Sequence, residues 1–154
     1  MSSKIPKITQ VLELCLYSRS LPKSVEFYSK TLNLGTPSIS SERLAVFPLG
    51  QTMLILFQRS QTSNDSILPH EMGTIPGHGL DPSPENDKVN LKTHFALAVE
   101  KKEEVDQWEE RFKEEKVEVL GEVEWPGGGK SVYFQDPDGN VGEIASRGIW
   151  PPHY

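Results

Sequence analysis

Ser131-Val132-Tyr133-Phe134-Gln135-Asp136-Pro137-Asp138-Gly139-Asn140, followed by Val141-Gly142-Glu143, decides the fold. Lys130–Gln135 and Asn140–Ser146 read as two strands, and Asp136-Pro137-Asp138-Gly139 reads as the tight turn between them. Proline fixes φ there and glycine tolerates positive φ. Just upstream, Val117–Trp125 is a further extended stretch. A helix over about Lys101–Glu115 buries Val105, Trp108 and Phe112 at helical spacing. Before it, Lys92–Val99 alternates as a strand, with Phe95, Leu97 and Val99 on one face and His94, Ala96 and Ala98 on the other. Residues 91–147 therefore spell βαβββ.

The same order appears upstream, over residues 8–58. Ile8–Tyr17 reads as a strand with Leu12, Leu14 and Leu16 on one face and Val11, Glu13, Cys15 and Tyr17 on the other. A helix follows from Leu21 to about Leu34, with Ser20 as N-cap, Pro22 in the first turn and Gly35 as a stop. Val25, Tyr28 and Leu32 form its buried stripe. Extended stretches come next at Pro37–Ser40, Arg43–Leu49 and Thr52–Gln58. The repeat predicts an α+β protein of two βαβββ modules. Loop 59–90 joins the modules into one domain over 8–147, and residues 148–154 form a tail. So long a connection reads either as a flap over a site or as a plain linker. Trp150 in the tail reads as a lid, a subunit contact or a hydrophobic cap.

Composition bounds the function. The chain has 154 residues, 36% hydrophobic and 25% charged, with one cysteine and a net charge of −6. No apolar run is long enough to span a membrane, and no apolar signal segment follows Lys4 and Lys7. A single cysteine excludes an internal disulfide and suits a reducing, cytoplasmic setting. The acidic balance argues against nucleic acid, whose phosphates need a basic patch.

Three polar residues then stand where apolar ones would cost less. Glu13 lies in a leucine-rich strand, His94 takes the matching place in the second module, and Glu143 sits in the last strand. A carboxylate buried in a sheet needs a hydrogen-bond donor, a counter-charge or a metal. Two carboxylates and an imidazole suit a divalent ion such as Zn, Fe, Mn or Ni. Glu13 precedes Phe27 by the interval that separates His94 from Trp108, so the two are equivalent positions. Superposing the turns around Gly50 and Gly139 sets Leu54 opposite Glu143, which predicts three ligand positions and one apolar one. Read singly, each of the three is more readily a surface or hydrogen-bonded strand residue than a ligand, and only their equivalent placement raises the joint reading.

At these residues the chain resembles the vicinal-oxygen-chelate superfamily, which includes glyoxalase, bleomycin-resistance, fosfomycin-resistance and dioxygenase-like domains. Leu21 through Phe27-Tyr28 and Leu32-Asn33-Leu34-Gly35 is similar to its opening helix. Tyr133-Phe134-Gln135-Asp136-Pro137-Asp138-Gly139-Asn140 with Glu143 is similar to its ending. The resemblance implies a cup around one divalent metal, on which a small substrate chelates through neighbouring oxygens. It implies Glu13, His94 and Glu143 as ligands and a proton-shuttling role for Glu13 or Glu143. Ser131 and Tyr133, on the face of Glu143, become substrate contacts, as does His70 in the connection. His78 is a weaker candidate, Lys130 reads as a solvated surface lysine, and Cys15 as an inert thiol. The expected activity is a glyoxalase-like lyase, isomerase or transferase, with a homodimer as a possible assembly. The alternatives are a non-catalytic protein that sequesters small molecules and an extradiol-type dioxygenase. Glyoxalase I enzymes carry a fourth ligand where Leu54 is placed here, and the usual opening-strand ligand is histidine rather than Glu13.

Overall fold

The computed structural model describes residues 5–150, 152 and 154. The first module contains β1 (Glu13–Ser18), α1 (Leu21–Glu26), β2 (Ile39–Ser40), β3 (Leu44–Leu49) and β4 (Thr52–Gln58). The second contains β7 (His94–Ala98), α3 (Lys102–Glu114), β8 (Val119–Glu124), β9 (Lys130–Gln135) and β10 (Val141–Ala145). Each forms its own four-stranded mixed sheet, ordered β1-β4-β3-β2 and β7-β10-β9-β8. In each, the first strand pairs in parallel with the last, while the other pairs are antiparallel. The α+β architecture of two repeated modules is as the sequence predicts. The sheets stay separate, however, and no pairing joins β1 to β7.

The first strand begins later than alternation suggests. Ile8, Val11 and Leu12 are exposed, and the ladder starts only at Glu13. The helix after it begins at Leu21, but Ser20 makes no side-chain cap bond. Gln58 Oε1 instead accepts from the Leu21 N–H at 3.0 Å. Beyond Glu26 the helix widens into a π turn over Phe27–Thr31, closed by Leu32 N–H donating to Phe27 O at 3.0 Å.

Both helices bury their apolar stripes in one shared core. Leu16, Tyr28, Leu32, Phe47, Leu54 and Leu56 of the first module meet Phe95, Val105, Phe112, Val132, Phe134 and Ile144 of the second. The Asp-Pro-Asp-Gly turn clasps the modules together. Tyr28 Oη donates to Asp136 Oδ2 at 2.8 Å, and Ser24 Oγ to Asp138 Oδ2 at 2.8 Å. Arg19 N–H donates to Asp138 Oδ1 at 2.7 Å. Asp136 also accepts from Asn140 N and Nδ2, so these buried carboxylates are well supplied with donors. Gly139 turns with φ +79°, where a Cβ would strike the Asn90 amide.

The connection is more ordered than a linker. It carries a hairpin, β5 (Ser66–Leu68) with β6 (Gly73–Ile75), and a short helix α2 (Pro84–Lys88) capped by Ser83. Arg19 and Arg59 anchor its far end. Arg19 Nη2 donates to Val89 O at 2.6 Å and Arg59 Nη1 to the same oxygen at 2.7 Å. Trp150 is largely exposed. Among the described residues, no helix is long and apolar enough to cross a membrane.

Candidate metal centre

Each sheet has one face covered by its helix and one open face, and alternation decides which residues reach the open side. On β7 that face carries His94, Ala96 and Ala98, and in-register pairing puts Val141, Glu143 and Ala145 of β10 beside them. The antiparallel partner β9 adds Tyr133 opposite Glu143 and Ser131 opposite Ala145. His94, Ser131, Tyr133 and Glu143 therefore gather on one surface because the strands are in register there.

The geometry around Glu143 is built. The residue is only 5% exposed. Its Oε1 accepts from Ser131 Oγ at 2.5 Å, and Ser131 Oγ accepts in turn from the Trp125 indole N–H at 2.8 Å. Ser131 has no exposed surface and lies beneath the carboxylate. The other oxygen, Oε2, stands 3.3 Å from His94 Nε2. His94 Nδ1 lies 2.9 Å from Val141 O. A carbonyl can only accept, so Nδ1 carries the proton there, leaving the Nε2 lone pair aimed at a carboxylate oxygen. Two acceptors at that distance need a cation or a second imidazole proton between them. The donor set thus fits a divalent ion. Tyr133 stacks obliquely on His94, with ring centroids 5.9 Å apart. Burial, followed by the charge of Glu143, pushes its phenol above the usual tyrosine pKa.

Glu13 is not part of this group. It sits exposed at the start of β1, on the open face of the other sheet. Among the described residues, no set of three His, Cys, Asp or Glu side chains converges. His94 and Glu143 are brought together within the chain, and Glu13 is held apart with Cys15 and Tyr17. Cys15 is half-buried, and burial, with the Glu13 charge second, raises its thiol pKa.

Two further placements differ from expectation. The backbone register corrects the fourth position. Met53 N–H donates to Leu12 O as Val141 N–H donates to Thr93 O, so Cys15↔Ile55 matches Ala96↔Glu143. Ile55 is the counterpart of Glu143, whereas Leu54 is fully buried on the helix side. The position is still apolar. The two turns differ in length, and a slip of one residue changes the face. Lys130 is not a solvated lysine. It is buried beneath α3, 2.7 Å from Asp106 and 3.2 Å from Glu122, and the Asp106 hydrogen bond is the main reason its pKa is raised. His70 stands exposed at the tip of the β5–β6 hairpin, whereas His78 packs against Tyr17 and Phe57. Sequence reading also missed Trp125, whose only signal is an aromatic residue directly before a glycine-rich turn. An apolar cavity of about 500 Å³, lined by Leu14, Leu54, Leu97, Trp108 and Ile144 among others, borders the shared core and includes none of Glu13, His94 or Glu143.

Paired βαβββ modules with an exposed His94 set against a buried Glu143 on the open face of the second sheet define a class. The chain belongs to the Glyoxalase/Bleomycin resistance protein/Dioxygenase superfamily, whose family model matches residues 7–144. It is 27% identical over 139 residues to the metallothiol transferase FosB of Staphylococcus epidermidis, covering 90% of this chain and 82% of that one. The crystal structure of lactoylglutathione lyase from Agrobacterium tumefaciens is similar with a TM-score of 0.76 and 28% identity, covering 94% and 98% of the two chains. A glyoxalase/bleomycin resistance protein/dioxygenase from Nocardioides shares the fold with a TM-score of 0.66 at 22% identity, covering 97% and 92%.

Proposed function

We propose that this protein is a metal-dependent glyoxalase-like enzyme that takes a small oxygenated substrate through two neighbouring oxygens. The observation that carries the reading is the His94 Nε2–Glu143 Oε2 approach of 3.3 Å, with each group fixed from behind. A divalent ion bound there would supply Lewis acidity to the substrate oxygens. His94 and Glu143 hold it from one sheet. Glu13 is the third ligand, contributed by a second copy of the chain, because among the described residues it does not converge with His94 and Glu143. The homodimer places the first module of each copy against the second module of the other, giving two equivalent sites.

The two carboxylates then differ in role. Ser131 pins Glu143 Oε1, so that group orients and holds. Glu13 is exposed, making it the freer carboxylate to take and return a substrate proton. Tyr133 borders the site as a substrate contact. His70, at its exposed hairpin tip, reaches substrate only across the subunit boundary.

Metal analysis of purified protein tests this. Wild type should carry one divalent ion per chain, and Glu13→Ala, His94→Ala and Glu143→Ala should each lose it. Mixing the Glu13→Ala and His94→Ala chains under exchange should restore roughly a quarter of the sites, since each mixed dimer rebuilds one of its two. Full occupancy in the three single variants would end the ligand assignment. Loss without recovery on mixing would end the shared site.

A further inference from the structure

Tyr17 lies on the same open face as Glu13, four residues further along β1. Its hydroxyl is 2.7 Å from His78 Nδ1. Tyr17 stacks on Phe57 with centroids 5.9 Å apart, and Phe57 meets the His78 ring edge-on at 5.0 Å. His78 is held at both ends of its backbone. Its N–H donates to Thr62 O at 2.7 Å, and Thr62 Oγ1 donates to His78 O at 2.8 Å. Thr62 is itself buried at 2% exposure. Gly79 follows with φ +84°, so close to Tyr17 that a Cβ would come within 2.7 Å of the ring. A segment of the connection is thus fitted onto this corner of the sheet, leaving two aromatic rings and one imidazole half-buried there. The reading of the metal centre does not use them.

Their distance from Glu13 decides what they could touch. Four strand residues at about 3.3 Å each separate the two positions by about 13 Å. A three-carbon substrate chelated beside Glu13 stops well short of Tyr17. We propose that Tyr17, Phe57 and His78 form a positioning subsite for the far end of an elongated substrate. That end is a flat group with a hydrogen-bonding function, phenolic or similar. Its ring lies against Phe57 and Tyr17, its polar atom engages the Tyr17–His78 pair, and its vicinal oxygens sit at the other end near Glu13. The inference rests on the metal-centre reading, which supplies the chelated end. Tyr17 and His78 act by positioning and take no part in bond making.

The test compares two probes with the same chelating head. Full-length protein loaded with Zn²⁺ or Ni²⁺ is titrated calorimetrically with lactate and with 4-hydroxyphenyllactate. Wild type should prefer the aromatic probe by about tenfold or more, the scale of one hydrogen bond plus ring contact. Tyr17→Phe keeps the ring and its packing on Gly79, and His78→Phe keeps an aromatic contact with Phe57. Each should weaken the aromatic probe about tenfold while moving lactate by less than about threefold. Melting curves close to wild type confirm that both variants fold. Equal affinity of wild type for the two probes overturns the subsite, and so do variants that weaken both probes alike, which is how a mere pin for the connection would behave. Wild type that takes up no metal fails earlier, at metal analysis, and overturns the metal-centre reading together with this one.

Discussion

The two modules share a backbone plan and differ on the face that carries chemistry. In the second, Glu143 is opposite Tyr133 and Ser131 stands two pairs further on, on the same face. The same register in the first gives Ile55 opposite Val46 and Leu44 at the place of Ser131. Every polar group of the second module's strand pair β9–β10 at those positions has an apolar counterpart, while the opening strands keep a polar residue in both, Glu13 and His94. A buried carboxylate needs donors behind it, and only one module supplies them, through Ser131 and the Trp125 indole. Duplication provides the positions, but each polar site must be supported separately. On the proposed reading, the second module is a preorganised half-site and the first contributes a single arm and an aromatic wall.

The sharpest way to break this comparison is to move a carboxylate into the first module at two adjacent positions. Leu54→Glu places a charge in the shared core, at a residue with no exposed surface. A cost of about 3–5 kcal/mol is expected, enough to leave much of the protein unfolded. Ile55→Glu puts the same group on the open face. Ile55 is half-buried there, so the cost should be clearly smaller than for Leu54→Glu, about 1–2 kcal/mol. Ile55→Glu should also tighten metal binding about tenfold or more by completing a fourth ligand. Thermal melting and metal titration of the pair read this directly. Similar behaviour of the two variants would mean that the register is misassigned.

The Leu54 and Ile55 case also marks what the sequence could carry. Alternation within strands is local, and it correctly placed Glu13, His94 and Glu143 on faces away from the leucine and phenylalanine stripes. Matching the modules through Gly50 and Gly139 failed because the loops differ: Leu49 pairs with Thr52, whereas residues 136–140 separate Gln135 from Val141. Asp136-Pro137-Asp138-Gly139 was legible as a turn, but not as the clasp that binds Ser24, Tyr28 and Arg19 from more than a hundred residues away. Lys130 was misread for the same reason. Its neighbours in sequence are glycines, and its partners Asp106, Glu109 and Glu122 come from α3 and β8. The loop histidines carried no periodicity, so nothing local ranked His78 above His70.

A smaller effect sharpens the account of support behind Glu143. Ser131→Ala removes the hydroxyl that links the Trp125 indole to Oε1 and leaves the first ligands intact. Partners of this kind are worth about 10–100-fold in metal affinity. About a tenfold loss is expected, measured by titration at fixed pH, with little change in fold. Leu44, at the equivalent place in the first module, supports no polar group, so Leu44→Ala should leave metal affinity within about twofold despite any loss of packing. Equal losses in the two variants would show that Ser131 acts through packing alone.

The smallest effect concerns what couples the halves. The Tyr28 phenol is fully buried, and burial first, then the Asp136 charge and hydrogen bond, hold its pKa well above the ordinary value of 10.0. Above pH 10 the unfolded chain gives up this proton and the folded chain keeps it. The unfolded state then binds fewer protons, so stability falls as pH rises. The contribution is complete below pH 10 and is lost as pH climbs from there towards the folded value. Tyr28→Phe removes one donor from Asp136 at a cost of about 1 kcal/mol at neutral pH. Asp136 retains the Asp138 and Asn140 donors, which limits that cost. The variant should also lose part of the alkaline slope, so its stability deficit should narrow between pH 10 and 11.5 in paired denaturant titrations. A deficit that stays constant across that range would mean the phenol ionises as readily folded as unfolded. The tie between α1 and the Asp-Pro-Asp-Gly turn would then not be a buried, charge-assisted one.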